Sequence, residues 1–311
     1  MLCDILLLIA AMLRVNIGCP IWTHDAWFSS IYPPKSSNRT ALQSYSGLFN
    51  SVECNSSFYH LPNQDTLKKW RDSVPDDFRF VLKLPRSISH SGQLDACTDE
   101  LKHTIDNLSL LGETLGGVML QLPKQFTPSH INQLEVLLDT IPTDLPMSVE
   151  VRQSAFFQKG EHEKLLNQLL LSHKADRVIM DTRALFACEP SQYTGDEREL
   201  VIDVQRKKPR VPTNVIATGD TPVVRFVGHQ QIDKCASFYR PWINKIKHWL
   251  DEGKSPSIFF HMPDNKDAPW LAAAFIHDYN LTYPDAPLPA LVLSASQNSH
   301  QQISIFDSLS P

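Results

Sequence analysis

Short runs of apolar and β-branched residues alternate along the chain with segments of helical periodicity. This alternation is typical of parallel strands that are joined by helical crossovers. The runs predict strands at 14–19, 49–57, 78–84, 116–122, 147–151, 177–181, 222–228 and 257–262. The amphipathic segments predict helices at 66–74, 100–112, 129–141, 161–173, 242–253 and 270–280. In one of these helices Leu134, Leu138 and Ile141 share a face, which we expect to be buried.

Eight predicted strands in regular alternation with helices favour a closed (β/α)8 barrel. An open doubly wound sheet is less favoured, because the dinucleotide-binding pattern G-x-G-x-x-G does not occur. We therefore predict an α/β fold with a single TIM-barrel domain over residues 14–288 and a long insertion after the sixth strand, at 182–220. An extra segment at 1–13 precedes this domain, and an extended tail at 289–311 follows it.

Composition and charge exclude several classes of protein. The chain has 29 Lys and Arg against 34 Asp and Glu, so its net charge of −5 argues against a general nucleic-acid coat protein. A hydrophobic fraction of 42% excludes a disordered chain. The six cysteines are scattered without a C-x-x-C pair, which indicates reduced thiols and a cytoplasmic location. The apolar run at 6–13 is shorter than the about 20 residues that span a bilayer, so we expect no membrane partner.

Ionisable residues occur inside and just after strands that are otherwise apolar. Several of them are two or four positions apart: Glu150 with Arg152, Asp181 with Arg183, and Arg225 with His229. Because side chains alternate along a strand, the members of each pair share a face. Barrel enzymes place their chemistry at the carboxyl ends of the strands. The pattern therefore predicts a functional site at that end.

Structural ion pairs are the alternative explanation for these charges. Removing a carboxylate or a guanidinium group from water costs several kcal/mol, so buried charges need partners. Any single pair in this chain is explained equally well in this way. Charges supplied by all the strands to one end exceed what packing requires, and we therefore favour the functional interpretation.

Nine motifs in the chain point to a family. They are IGCPIW (17–22), FNSVECNSSFYHLP (49–62), FRFVLKLPRSISH (78–90), QLPKQF (121–126), VEVR (149–152), DTR (181–183), KKPRVP (207–212), VVRFVGH (223–229) and FFHMPDNKDAP (259–269). In this order they resemble the motifs of the YecE-like family, domain of unknown function 72. The resemblance runs from Val15 to His277. It implies a TIM barrel and mostly bacterial cytoplasmic proteins, and it implies no reaction.

The candidate site combines acids with a larger number of cations. The guanidinium group of arginine binds phosphate or carboxylate through two parallel hydrogen bonds, so a cationic cavity in an acidic protein indicates an anionic ligand. We predict an enzyme of the hydrolase or isomerase class that acts on a phosphate-bearing small molecule or nucleotide. Glu150 and Asp181 are the candidate general bases, and His261 is the acid or base partner. The predicted ligand-binding residues are Glu53, Asn55, Tyr59, Lys83, Arg86, His90, Gln121, Arg152, Arg183, Arg225, His229, Asp264 and Asn265.

Two other functions stay open at this point. The first is a metal-dependent hydrolase or a nuclease-like barrel that binds nucleic acid, with ligands drawn from Glu53, Glu150, Asp181, His229, His261 and Asp264. A divalent metal is not favoured, because arginines compete for the acids, and no residue is assigned as a metal ligand. The basic run from Arg206 to Arg210 either contacts a phosphate backbone or is a solvated loop. The second is a non-enzymatic barrel that senses a ligand or binds a partner. The cofactor, the substrate and the oligomeric state are left unassigned.

Overall fold

The structure, a computed structural model, describes residues 14–293. Its strands are β1 (Asn16–Gly18), β2 (Ser51–Cys54), β3 (Arg79–Lys83), β4 (Leu115–Gln121), β5 (Met147–Glu150), β6 (Asp176–Arg177), β7 (Ile179–Asp181), β8 (Val223–Val227) and β9 (Ser257–His261). They form a four-stranded sheet in the order β1-β9-β8-β7 and a five-stranded sheet in the order β2-β3-β4-β5-β6. All pairings are parallel. The predicted segment 1–13 and residues 294–311 of the predicted tail lie outside the described residues.

Helices connect the strands. They are α1 (Asp25–Phe28), α2 (Ala41–Ser46), α3 (Gln64–Asp72), α4 (Arg86–Ser89), α5 (Thr98–Leu108), α6 (Ile131–Leu138), α7 (Glu161–Ser172), α8 (Arg183–Phe186), α9 (Gly195–Lys207), α10 (Ala236–Asp251) and α11 (Ala268–Thr282). Short 3₁₀ helices lie at Ser56–Phe58, Leu94–Cys97, Ser109–Thr114, Pro128–His130, Ser154–Phe157, Pro190–Gln192 and Ile232–Cys235. Within residues 14–293, no helix is both long enough and apolar enough to cross a membrane.

The predicted α/β class and the predicted strands are confirmed, with one interruption. The sixth predicted strand is divided at Val178 into β6 and β7, and the Val178 amide still donates to the Val149 carbonyl of β5 at 2.9 Å. The segment at 182–220, which we predicted as a long insertion after the sixth strand, contains α8 and α9. Helix α9 has a weak apolar pattern, because only Val201 and Val204 of its residues are buried.

Both faces of the strands are buried. On one face, the main core packs against the helices; the ring of Phe226 in β8, for example, contacts that of Tyr239 in α10. On the other face, a separate apolar cluster consists of Val81, Met119, Val178, Val223 and Phe259. The residues two positions further along the same strands are Lys83, Gln121, Met180, Arg225 and His261. Most of these are polar, so the charges lie at the carboxyl end of this second face.

Contacts between β1 and β2 link the two sheets at one side. The Glu53 amide donates to the Cys19 carbonyl at 3.1 Å. The Tyr45 hydroxyl accepts from the Cys19 amide at 2.7 Å and donates to the Ser51 carbonyl at 2.9 Å. Gly18 permits this approach, since a Cβ atom there would lie 2.0 Å from the Ser51 carbonyl oxygen.

We expect Gly18→Ala to destabilise the protein by about 1–3 kcal/mol or more, because the added methyl group meets backbone atoms that cannot move without separating β1 from β2. Gly47→Ala is the control, since the nearest atom to its added Cβ, the Ser44 carbonyl oxygen, is 3.5 Å away. Urea unfolding of both variants measures the two losses. Equal losses would show that the close approach at Gly18 is unimportant.

Candidate functional site

Arg225 joins the two sheets through two carboxylates. Its side chain in β8 is 2% exposed, and it donates to Glu53 of β2 through Nε to Oε2 and Nη2 to Oε1, both at 2.7 Å. Its Nη1 donates to Oε2 of Glu150 in β5. Glu53 and Glu150 are each about 99% or more buried. Because β8 belongs to one sheet while β2 and β5 belong to the other, this guanidinium group bridges the sheets.

Three further side chains complete the hydrogen bonds of these carboxylates. Arg152 donates through Nε to Oε1 of Glu150 at 2.7 Å and through Nη2 to Gln121 at 2.7 Å. Asn55 donates to Oε1 of Glu53 at 2.7 Å, and Nε2 of His261 lies 3.2 Å from Oε2 of Glu53. We call Glu53, Glu150, Arg152, Arg225 and His261 the charged cluster. It is the largest set of predicted site residues that the structure brings together.

The arginines keep both carboxylates ionised. Burial alone would raise the pKa of Glu150, but Arg152 and Arg225 lower it to about 2. Burial likewise opposes ionisation of Glu53, whereas Arg225 and His261 hold its pKa well below the ordinary value. Burial lowers the pKa of His261 to about 4, and the neighbouring Glu53 only partly offsets this. Near neutral pH the cluster therefore contains two carboxylates, two guanidinium groups and a neutral imidazole.

Lys83 lies beside the charged cluster without an ion-pair partner among the described residues. It is the last residue of β3, is 8% exposed, and places Nζ 4.4 Å from the centre of the Phe58 ring. Burial and then Arg225 lower its pKa to about 8, and the attraction of Glu150 and Glu53 only partly offsets them. The carboxylates that would pair with this amine are already bound by Arg225 and Arg152.

Lys208 is a second lysine that interacts electrostatically with the charged cluster, and the predicted site omitted it. It follows α9 and is half-buried, and the neighbouring Pro209 carbonyl accepts from Thr182 at 3.1 Å. Burial and then Arg225 lower its pKa to about 7. The adjacent Lys207 is exposed and pairs with Asp203. The sequence signal for Lys208 was the basic run itself, which does not show which of its members faces the site.

The structure does not bring Asp181 to Glu150 and His261. Its carboxylate accepts from Arg183 at 2.9 and 2.7 Å and from the indole Nε1 of Trp242 in α10 at 2.8 Å. In the sheet, Asp181 is in register with Phe226, which faces the helices. Asp181 and Arg183 therefore lie on the helix side of β7, and the predicted catalytic group of three is corrected to exclude Asp181.

The predicted residues after β3 and β2 form a more open edge of the site. The ring of His90 lies 5.2 Å from that of Phe58, and its Nδ1 is 2.9 Å from the Ser89 hydroxyl. Burial and then Arg86 lower the pKa of His90. Tyr59 is 71% exposed and contacts Phe58 edge-on.

The predicted residues after β8 and β9 organise their own turns. Nδ1 of His229 accepts from the Gln231 amide at 2.9 Å, and burial lowers the pKa of His229. Asp264 accepts from the Lys266 amide at 2.9 Å. Asn265 accepts from the Met262 amide at 3.2 Å and has a φ of 63°. These contacts lie within the turns that follow β8 and β9, and among the described residues none of them joins His229, Asp264 or Asn265 to the charged cluster.

The structure does not bring together the six residues that we considered as metal ligands. Among residues 14–293, no group of three or more His, Cys, Asp or Glu side chains is placed to hold a metal ion. Of the six candidate ligands, Glu53 and His261 touch, while Arg225 separates Glu53 from Glu150. Both acids of the charged cluster are thus ion-paired with arginines.

Comparison with known proteins places this architecture among uncharacterised relatives. Residues 16–293 match the family described as "Protein of unknown function DUF72". The chain is 34% identical to "UPF0759 protein YecE" of Escherichia coli K12 over 283 residues, which are 91% of this chain and 99% of that protein. It is 26% identical to "UPF0759 protein YunF" of Bacillus subtilis 168 over 162 residues, which are 49% of this chain and 56% of that protein.

Two crystal structures of DUF72 family proteins share the fold. One, from Enterococcus faecalis V583, has a TM-score of 0.64 and 18% identity, and the match covers 91% of this chain and 100% of that one. The other, from Thermotoga maritima MSB8, has a TM-score of 0.61 and 20% identity, and the match covers 84% of this chain and 97% of that one. At these identities the likeness establishes the fold alone.

We expect Arg225→Met to destabilise the protein by about 3–5 kcal/mol, because it leaves Glu53 and Glu150 buried without their shared cation. Adding Glu53→Gln and Glu150→Gln to that variant should recover part of the loss. Arg206→Met is the control; its exposed pair with Asp203 should contribute little to stability. Urea unfolding measures all the variants. A loss no larger than that of Arg206→Met would rule out a stabilising role for the bridge.

The free energy of unfolding should fall as the pH drops from about 6.5 to 4. The unfolded chain protonates His261 near its ordinary pKa of 6.5, while the folded protein resists until about 4. The unfolded state therefore binds more protons in this window, and the loss reaches about 3 kcal/mol. Urea unfolding at each pH should show a flatter dependence for His261→Gln than for the exposed control His162→Gln. Identical slopes for the two variants would contradict this.

Proposed function

The chain belongs to the DUF72 family of proteins of unknown function, and on the geometry of the charged cluster we propose that it is an enzyme acting on an anionic, phosphate-bearing small molecule or nucleotide by acid/base chemistry. One observation carries the proposal. Lys83 is buried without an ion-pair partner among the described residues, and Lys208 interacts electrostatically with the same cluster, whose carboxylates are already paired with arginines. The residues 14–293 supply no further acid in contact with either amine, so an anionic ligand is the missing partner.

We also infer that the two sheets close into one (β/α)8 barrel around the charged cluster. Three observations support closure. The Glu53 amide bonds to the Cys19 carbonyl between β1 and β2, β6 continues into β7 across Val178, and Arg225 connects both sheets. The apolar cluster below the charges also draws residues from both sheets. In such a barrel the charged cluster occupies the carboxyl end, where barrel enzymes hold their substrates.

The charge balance of the site favours phosphate. The two carboxylates offset Arg152 and Arg225, so the two lysines give the site a positive charge within a chain of net charge −5. Arg152 is the more accessible arginine, with a side chain 22% exposed. Its Nη1 has no partner among residues 14–293 and is available to a phosphate oxygen.

We assign proton transfer to the lysine amines rather than to the carboxylates of Glu53 and Glu150. A general base works best when its pKa is near the working pH. Glu150, with a pKa of about 2, is too weak a base and instead positions Arg152 and Arg225. Lys208, with a pKa of about 7, exchanges protons readily at neutral pH and is our candidate for the acid/base group. His261 stays neutral and orients Glu53.

Inorganic phosphate and sugar phosphates should raise the thermal midpoint of the wild-type protein. At 100 times Kd the added stability is about 2.7 kcal/mol, and a tenfold loss of affinity would reduce it to about 1.4 kcal/mol. We expect Lys208→Met to cause at least this loss, because it removes one of the two unpaired amines. Lys207→Met is the matched control, since that neighbouring lysine pairs with Asp203 outside the site.

Two results would overturn the proposal. If no phosphate compound shifts the wild-type midpoint, the cluster is a structural ion network. If the compound that stabilises the protein most is recovered unchanged after prolonged incubation with it, as followed by mass spectrometry, the protein is a ligand-binding barrel without turnover.

A further inference from the structure

We propose that Lys83 is a nucleophile that forms an imine with a carbonyl group of the ligand, so that the substrate is a phosphate-bearing aldehyde or ketone. This inference rests on the proposed function, because the phosphate group holds the carbonyl compound at the site. It adds a covalent role to one of the two amines and names the chemical class of the substrate.

The position of Lys83 favours a nucleophile. Lys83 is only 8% exposed, and its Nζ lies 4.4 Å from the centre of the Phe58 ring. Glu53 and Glu150, which lie nearby, each bind an arginine at hydrogen-bond distance and leave the amine without an ion pair among the described residues. The amine is therefore not held by either carboxylate and is available to react with a bound ligand.

The charged groups around Lys83 come from several elements. Arg225 of β8 and Arg152 after β5 oppose its ammonium form, while Glu150 of β5 and Glu53 of β2 support it. His90, which follows α4, also interacts with it. Burial and Arg225 prevail and lower the pKa of Lys83 to about 8. About one amine in ten is then neutral at pH 7, against about one in 2,500 for an ordinary lysine with a pKa of about 10.4. The neutral amine is the form that attacks a carbonyl carbon.

The covalent step balances without an oxidant or a reductant. The lone pair of Nζ attacks the carbonyl carbon, the C–O π bond breaks, and the oxygen takes one proton while Nζ gives one up, which produces a neutral carbinolamine. Nζ loses its second proton as the C=N bond forms, and the oxygen takes a second proton and leaves as water. Lys208, with its pKa of about 7, can deliver and recover these protons. Arg152 retains its charge and holds the phosphate group.

Pyridoxal 5′-phosphate, a phosphate-bearing aldehyde, is the probe, and borohydride reduction makes the imine permanent. Peptide mass spectrometry then locates the adduct. We expect it mainly on Lys83, at least tenfold above Lys245, and suppressed by inorganic phosphate. Lys245 is the matched control, because its Nζ also lies over a ring, 5.1 Å from the centre of Trp249, but in α10. The labelling rate should reach half its maximum near pH 8.

A charge-preserving variant separates the covalent step from binding. Lys83→Arg should abolish the adduct while inorganic phosphate still raises the thermal midpoint, and Lys245→Arg should change neither. A main adduct on Lys208, labelling spread over exposed lysines, or labelling insensitive to phosphate would overturn the assignment to Lys83. If phosphate raises the thermal midpoint but no adduct forms on Lys83, the imine proposal is wrong while the proposed function stands. A wild-type midpoint that phosphate does not move refutes the proposed function as well.

Discussion

The contact between the Arg225 guanidinium and the carboxylates of Glu53 and Glu150 is the interaction on which the remainder of the site depends. Burying any one of these ions alone costs several kcal/mol, so each must have well-placed partners. A single guanidinium group cannot neutralise two carboxylates, and Arg152 supplies the second positive charge through Glu150. These ion pairs form only when strands from both sheets keep their positions relative to one another. The charged cluster therefore stabilises the fold and also fixes the geometry of the candidate site.

That balance decides what the neighbouring groups can do. With both carboxylates occupied, Lys83 and Lys208 are left among permanent positive charges. Burial and then the charge of Arg225, which also helps to keep Glu150 ionised, lower the pKa of Lys83 to about 8 and that of Lys208 to about 7. The proposed anionic ligand would relieve the repulsion among the cations and would therefore change the protonation of both lysines.

The strands and most of the charged cluster were predictable from the sequence, for a physical reason. Charges such as Arg225 and His261 stand inside apolar runs, where burial demands a partner or a role. Asp181 shows the limit of this reasoning. The alternation of side chains shows which residues of one strand share a face, but not which face carries the charged cluster, and Asp181 is one position away from Met180, which lies on the face of the cluster. Lys208 was missed because only tertiary packing distinguishes it from Lys207.

Buried acids at the carboxyl ends of parallel strands are usually the first candidates for general bases, and the ion pairs of this cluster argue against that assignment. A carboxylate with a pKa of about 2 accepts a proton only at a cost of several kcal/mol near pH 7, because the transfer also breaks its ion pair. An amine with a pKa of about 7 or 8 exchanges a proton at little cost and keeps a lone pair available for bonding to carbon. In the proposed reaction the arginines thus leave the acids ionised and unreactive, while burial and Arg225 make the two lysines the groups that exchange protons and bond to carbon.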